Sequence, residues 1–499
     1  MQYQSSRGNS PSVTAAQAII NGIAPDGGLY IPDKIPSLSK EDFINWIDLP
    51  YQGRAQTVLQ QYLTDFSPAK VSDCIKAAYN QRNFDNAQIA PLIELSPRLH
   101  MLELWHGPTS AFKDMALQIL PHLLTTSMKK TGENNQIVIL VATSGDTGKA
   151  ALEGFRDVAG TQIVVFYPAQ GVSQVQRLQM VTQAGENVNV AGVTGNFDDA
   201  QNGVKKIFGD QDFIGRLAGN NLKMSSANSI NWGRLLPQIV YYLSAYADLL
   251  REGRIEYGEA VNIVVPTGNF GNILAAFYAR QMGLPVGRLI CAANANNILT
   301  DFINSGVYDR NRPFYKTISP SMDILISSNL ERLLAEVSGH DFQQVNAWMK
   351  QLSAAGRYEV SGLVRDKIQE LFWSDFGDDR QTIATIRKTW DTYQYLADTH
   401  TAVALCVYDR YREKTGDNRT TIIASTASPF KFGSSVAEAI LPEAIRAGKD
   451  EFSLIRFLSE WTGSEVPQGI RDLDKRPVLH DTTTSPADMQ NTVARFLKL

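Results

Sequence analysis

Short, wholly apolar runs, each followed by a glycine-bearing loop and then a helix-like stretch, constrain this chain more than any other feature. Residues 137–143 open with the unbroken run IVILVA, so a strand built from them must be covered on both faces. A loop with Gly145 and Gly148 follows, then a helical pattern over 149–158 and a second apolar run over 162–167. The same order recurs as a run at 262–266, a loop at 267–272, a helix at 273–282 and a strand at 288–292, and residues 420–424 add one more short run. This is βαβ order, and it predicts an α/β fold with parallel sheets covered by helices. Ligands in such sheets sit at the carboxyl ends of the strands. The loops after 143, 266 and 424 are therefore where chemistry is expected.

A chain of 499 residues outgrows a single hydrophobic core, so two or three domains with a cleft between them are expected. A net charge of −4 provides no basic field to draw nucleic acid or acidic lipid, which leaves a small molecule as the expected partner. Cys74, Cys291 and Cys406 form no CxxC pair and cannot all be paired within one chain, as suits a reducing compartment. The start MQYQSSRGNSP shows no leader pattern and the apolar runs are too short to cross a bilayer, so a cytoplasmic, membrane-free protein is expected. No spacing of His, Cys, Asp or Glu suggests a metal site.

The first hundred residues mix short elements: helical patterns at 13–21, 40–63 and 67–79, and the turn Pro25-Asp26-Gly27-Gly28. They read as a lead-in domain. Residues 313–390 are mostly helical in pattern and are expected to form an insertion that packs the second domain. The divisions anticipated are an N-terminal domain over 1–98, a second domain over 99–265 and a third over 266–499.

Four loops carry candidate chemistry. Lys113, in HGPTSAFKDMA, stands at a loop-to-helix junction where a lysine is ordinarily just solvated. Here it follows Ala111 and Phe112 and opens an apolar helix, so its stem lies against core. Burial disfavours the ammonium, which is how a lysine becomes a Schiff-base former and proton carrier. Gly268, Asn269, Phe270, Gly271 and Asn272 join a strand to a helix, where free amides and the helix dipole suit a phosphate. An ordinary βα turn explains that spacing equally well. The loop Thr143-Ser144-Gly145-Asp146-Thr147-Gly148-Lys149-Ala150 is not a nucleotide P-loop, because two residues rather than four separate its glycines and alanine follows the lysine. Its hydroxyls and amides suit a carboxylate. The hydroxyl-rich Ser425-Thr426-Ala427-Ser428-Pro429, taken alone, reads as a capping turn. Asn228-Ser229-Ile230-Asn231-Trp232 reads first as a cap for the helix running on from Arg234. His106 and His400 read as structural histidines with satisfied nitrogens.

Taken in order, these segments resemble the threonine synthase family, fold-type II enzymes dependent on pyridoxal 5′-phosphate (PLP). The resemblance starts with residues 3–8 and GIAPDGGLYIP at 22–32, and continues through Lys113, 143–148, 228–232, 268–272 and 319–329 to 399–404 and 425–433. It is closest to the longer form with a separate N-terminal domain. It implies two cofactor-clasping domains of the tryptophan synthase β type, the second carrying the lysine and substrate loop, the third the cofactor phosphate. It further implies that Lys113 carries PLP, that Gly268, Asn269, Phe270, Gly271 and Asn272 hold its phosphate, and that the Thr426 hydroxyl meets the pyridine nitrogen. The reaction implied is that of a carbon–oxygen lyase: O-phospho-L-homoserine and water give L-threonine and phosphate, with Lys113 as acid and base. Thr143, Ser144, Asp146 and Thr147 are then candidates for holding substrate, with Asn228 and Arg234, in a monomer or homodimer. The chain departs from the family's Asp-Pro-His at Asp398-Thr399-His400, and no role is assigned to His400.

Overall fold

Strands without a polar face need helices on both sides, and the chain builds two sheets that meet this demand. The computed structural model describes residues 1–499, the side chain of Asp198 excepted. The larger sheet runs in the order Phe372–Phe376, Val286–Ala293, Val261–Pro266, Thr421–Ser425, Leu99–Glu103, Leu92–Ser96. All its pairings are parallel except the last, which closes the edge as an antiparallel hairpin. The smaller sheet, Thr483–Thr484, Val188–Val193, Thr161–Pro168, Gln136–Ala142, Leu222–Ser225, is parallel throughout. In Val261–Pro266 and Thr421–Ser425 every residue is buried, as expected for strands covered on both faces.

Sheet membership cuts across the divisions at 98 and 265. Leu99–Glu103 pairs with Thr421–Ser425, and Thr483–Thr484 pairs with Val188–Val193. Parallel neighbours need crossover connections, and the chain passes from the larger sheet to the smaller after Leu99–Glu103, returns after Leu222–Ser225, and crosses again after Thr421–Ser425. The segment 313–390, expected to be helical, also holds the strand Phe372–Phe376, which forms an edge of the larger sheet.

A twenty-residue helix, Trp232–Arg251, stands between these layers and is buried almost to its last residue. Helices Gly271–Gln281, Tyr51–Tyr62 and Asp114–Leu117 all pack against it. Arg54 of the N-terminal region reaches in to pair with its Asp248 at 2.8 Å and also bonds the Ser244 hydroxyl. A buried guanidinium that satisfies both a carboxylate and a hydroxyl fixes where the N-terminal helices dock. Tyr3–Ser5 and Tyr30–Pro32 form a small antiparallel ribbon, whose Arg7 and Ser6 neighbours both bind Glu331. The N-terminal segment is thereby tied to the wall of the central cleft. No helix among the described residues is long and apolar enough to cross a membrane.

Candidate active site

The loops leaving the strands at 103, 142, 266 and 425 converge on one cavity of about 780 Å³. Its lining includes Lys113, Thr143, Ser144, Thr147, Asn228, Arg234, the whole of 268–272, and Thr426. Candidates far apart in sequence thus share one chamber. Asp146 lies beneath its wall.

Lys113 is placed by a stapled loop. Ser110 takes a left-handed turn at φ 59°, Phe112 N donates to Thr426 O at 2.8 Å, and Ser428 N donates to Ser110 O at 3.0 Å. The Lys113 and Thr426 loops are thereby zipped to each other. Beneath them Asp114 accepts from both the amide and the hydroxyl of Thr109 at 2.8 Å each. Burial nonetheless pushes its carboxyl up to about 6.

The Lys113 ammonium lies 3.4 Å from Asp146 Oδ2 and 3.2 Å from Ser321 Oγ. Burial pushes its pKa below the ordinary lysine value, Asp146 holds it back, and the cations Lys431 and Arg234 push it down further. Burial alone would raise the Asp146 carboxyl. Lys431 at 3.1 Å and Lys113 outweigh it and, with Gln176 donating at 2.9 Å, hold that carboxyl far below the carboxylate range. Asp146, a candidate for holding substrate, here faces Lys113 and Lys431. Its oxygens are spent on two lysines, Gln176 and Ser321, and its charge would repel a carboxylate or phosphate.

Thr143 Oγ accepts from Gly145 N and Gly148 N, both at 2.9 Å, and so shapes the loop from within. Gly145 sits at φ 137°, a conformation that side chains rarely adopt. Ser144 and Thr147 line the cavity. Arg234 is buried, its pKa pushed down to about 10, and its Nη1 donates to Ala227 O. Its Nε has no partner in the protein. An unspent guanidinium donor at a cavity wall calls for an anion. The Asn228 side-chain oxygen is likewise buried and unpaired.

The 268–272 loop has the features of a phosphate cradle. Helix Gly271–Gln281 has no side-chain cap, so its first amides are unspent, and Phe270 turns left-handed at φ 62° to begin it. A Cβ on Gly268 would stand 2.4 Å from Ser321 O, so only glycine permits this approach. Tyr241 and Tyr242 both donate to Asn272 Oδ1, which turns Asn272 Nδ2 away from them as a buried donor without a protein partner. Unspent amides, an orphan side-chain donor, a lysine of lowered basicity and a threonine hydroxyl are what PLP needs. The residues present fit it.

Two participants were not visible in the sequence. Lys431 is wholly buried, bonded to Thr109 O and paired with Asp146. Ser321 belongs to the segment expected only to pack, yet its turn Pro320–Met322 reaches Lys113. His400 lines the cavity with both ring nitrogens engaged, as a satisfied histidine should be, and His106 lies between Asp85 and Glu103 at 2.6 and 2.8 Å.

Comparison with known proteins gives the same picture. Residues 2–79 match the threonine synthase N terminus, 89–362 the pyridoxal-phosphate dependent enzymes and 401–493 the threonine synthase C-terminal region. Threonine synthase of Saccharomyces cerevisiae is 37% identical over 88% of this chain and 89% of its own length. Threonine synthase-like 1 of Macaca fascicularis is 42% identical over 85% of this chain, which spans 58% of that protein. The crystal structure of PLP-bound threonine synthase from Brucella melitensis superposes with a TM-score of 0.87 at 34% identity, covering 100% of both chains.

Proposed function

Given that the chain belongs to the threonine synthase family of PLP-dependent enzymes, we propose that it converts O-phospho-L-homoserine and water to L-threonine and phosphate. The observation that carries this reading is the cavity itself. One chamber holds a lysine of lowered basicity, a phosphate cradle and, beyond them, a second anion site with an unspent guanidinium. A substrate that carries its own phosphate needs that second site.

PLP, when bound, supplies an electron-accepting ring that stabilises negative charge at the substrate α-carbon. Gly268 to Asn272 would hold its phosphate and Thr426 would meet its ring nitrogen, a neutral partner that would leave the ring a moderate electron sink. Lys113 Nζ is the base that removes the substrate Cα proton. Asp146 and Ser321 hold that nitrogen at the reacting carbons. The same nitrogen then moves a proton from Cβ. The C–O bond at Cγ breaks, phosphate leaves with the bonding pair, and Cγ is protonated to become the methyl group. Water adds its oxygen at Cβ, and Cα regains a proton.

Ser144 and Thr147 hold the substrate carboxylate at the helix start behind them, with Thr143 keeping the loop in shape. Arg234, with the amide nitrogen rather than the oxygen of Asn228, holds the departing phosphate, where a fixed guanidinium favours the charge that develops on it. The reading is tested by incubating the purified protein, loaded with PLP, with O-phospho-L-homoserine and quantifying threonine and phosphate together. Equal amounts of each are expected. Formation of 2-oxobutyrate in place of threonine would overturn the assignment.

A further inference from the structure

We propose that His400 is a positioning residue for Lys113, acting through the backbone of Ser321 and only as the neutral tautomer that carries its proton on Nδ1. Asp398, fully buried, caps helix Thr399–Thr415. Its Oδ1 accepts from His400 N at 2.8 Å and lies 2.9 Å from His400 Nδ1, while Oδ2 accepts from both the amide and the hydroxyl of Thr401. A carboxylate with this many donors remains an acceptor, so the proton between it and the ring belongs to Nδ1. On the far side of the ring, Nε2 lies 3.1 Å from Ser321 N. A backbone amide can only donate. Nε2 must offer its lone pair, and both ring nitrogens are spent.

Ser321 is the residue whose place matters most here. Its hydroxyl bridges Lys113 Nζ at 3.2 Å and Asp146 Oδ2 at 3.0 Å. Its carbonyl stands 2.4 Å from where a Cβ on Gly268 would be, so the same residue abuts the phosphate cradle. The turn Pro320–Met322 that carries it is three residues long and has no side-chain cap of its own. The imidazole, seated against Phe432 with ring centres 4.7 Å apart, is thus an anchor that fixes this turn between the lysine and the cradle. A ring protonated at Nε2 would set N–H against N–H and release the turn.

This inference rests on the reading of Lys113 as the acid and base, and its test separates the two. With isotope-labelled histidine in the PLP-loaded protein, the nitrogen signal of His400, assigned by its loss in His400→Gln, is expected to show a protonated Nδ1 and a bare Nε2. No turnover is needed for that measurement. A protonated Nε2 at neutral pH would overturn the inference and leave the proposed reaction standing. In turnover, His400→Ala is expected to lower kcat by about 10²-fold, the scale set by misplacing a catalytic group by roughly 1 Å, with KM little changed. His400→Gln, whose side-chain oxygen can accept from Ser321 N, is expected to recover most of it. Ser321→Ala is expected to add little to His400→Ala, because both remove one bridge. Failure of the glutamine to rescue a folded protein, or strictly additive losses, would refute the coupling.

Discussion

Replacing Asp146 by asparagine removes the one anion shared by two buried lysines. The Asp146 side chain is 3% exposed, with Lys431 Nζ at 3.1 Å and Lys113 Nζ at 3.4 Å. At an effective dielectric of roughly 20, each contact gives about 5 kcal/mol of Coulomb attraction, most of it offset by desolvating the three charges. Removing the shared partner leaves two cations close together in an apolar setting, and such losses run to about 3–5 kcal/mol. Against a total stability of about 5–15 kcal/mol, this is a large share. The sign with pH is definite. The Asp146 carboxyl is held below its ordinary 3.8, so its contribution is present above that pH and lost as pH falls through the lower native value. Urea unfolding of the cofactor-free protein is therefore expected to show a wild-type advantage that is constant from pH 5 to 8, taken as roughly the range above both values. Lys431→Met should relieve part of the loss in the asparagine background, giving a coupling of at least about 1 kcal/mol in a double-mutant cycle. A loss below about 1 kcal/mol, or no coupling to Lys431, would refute the account of this cluster.

Three further outcomes are expected. Asp85 and Glu103 overcome the effect of burial and push the His106 imidazolium up to about 9 from 6.5, so its stabilisation is full below 6.5 and lost as pH rises through about 9. His106→Gln should thus flatten that alkaline decline by about 2–3 kcal/mol, measured by denaturant unfolding at a series of pH values. Tyr242→Phe leaves Asn272 with one phenol fewer to fix its amide and should weaken PLP binding about tenfold in equilibrium dialysis, with thermal stability little changed. Lys113→Ala should abolish both turnover and the visible absorbance of the PLP-loaded protein, since one side chain supplies the cofactor link and the base.

The sheet strands were legible where composition leaves no choice. A run such as IVILVA has no polar side to turn to water, and the strand Gln136–Ala142 is paired on both sides within its sheet. The strand Phe372–Phe376 was not legible. Two of the five residues in its sequence FWSDF are polar, it occupies a sheet edge, and amphipathic helices flank it on both sides. Edge strands bury less, so their pattern carries less of the burial that makes a strand readable. The loops followed the same logic. Glycines and hydroxyls after an apolar run marked 143–148 and 268–272 as strand ends, and both loops line the cavity.

Charge partners were the part that spacing could not reveal, and Asp146 shows why. Its place in a loop of hydroxyls and glycines suggests a contact with substrate, and the one nearby cation, Lys149, pairs with Glu153 instead. The cations that decide its role come from Lys113, on the preceding loop, and from Lys431, beyond the last strand of the larger sheet. Lys431 itself sits among serines and phenylalanines, where nothing nearby explains a lysine. Only when the crossovers bring the ends of the strands at 142 and 425 together does a wholly buried ammonium meet a wholly buried carboxylate. A buried charge is stable only when paired. Each of these two residues therefore explains the other: Lys431 is in the core because Asp146 is there, and Asp146 stays ionised beside Lys113 because Lys431 offsets what burial would otherwise impose.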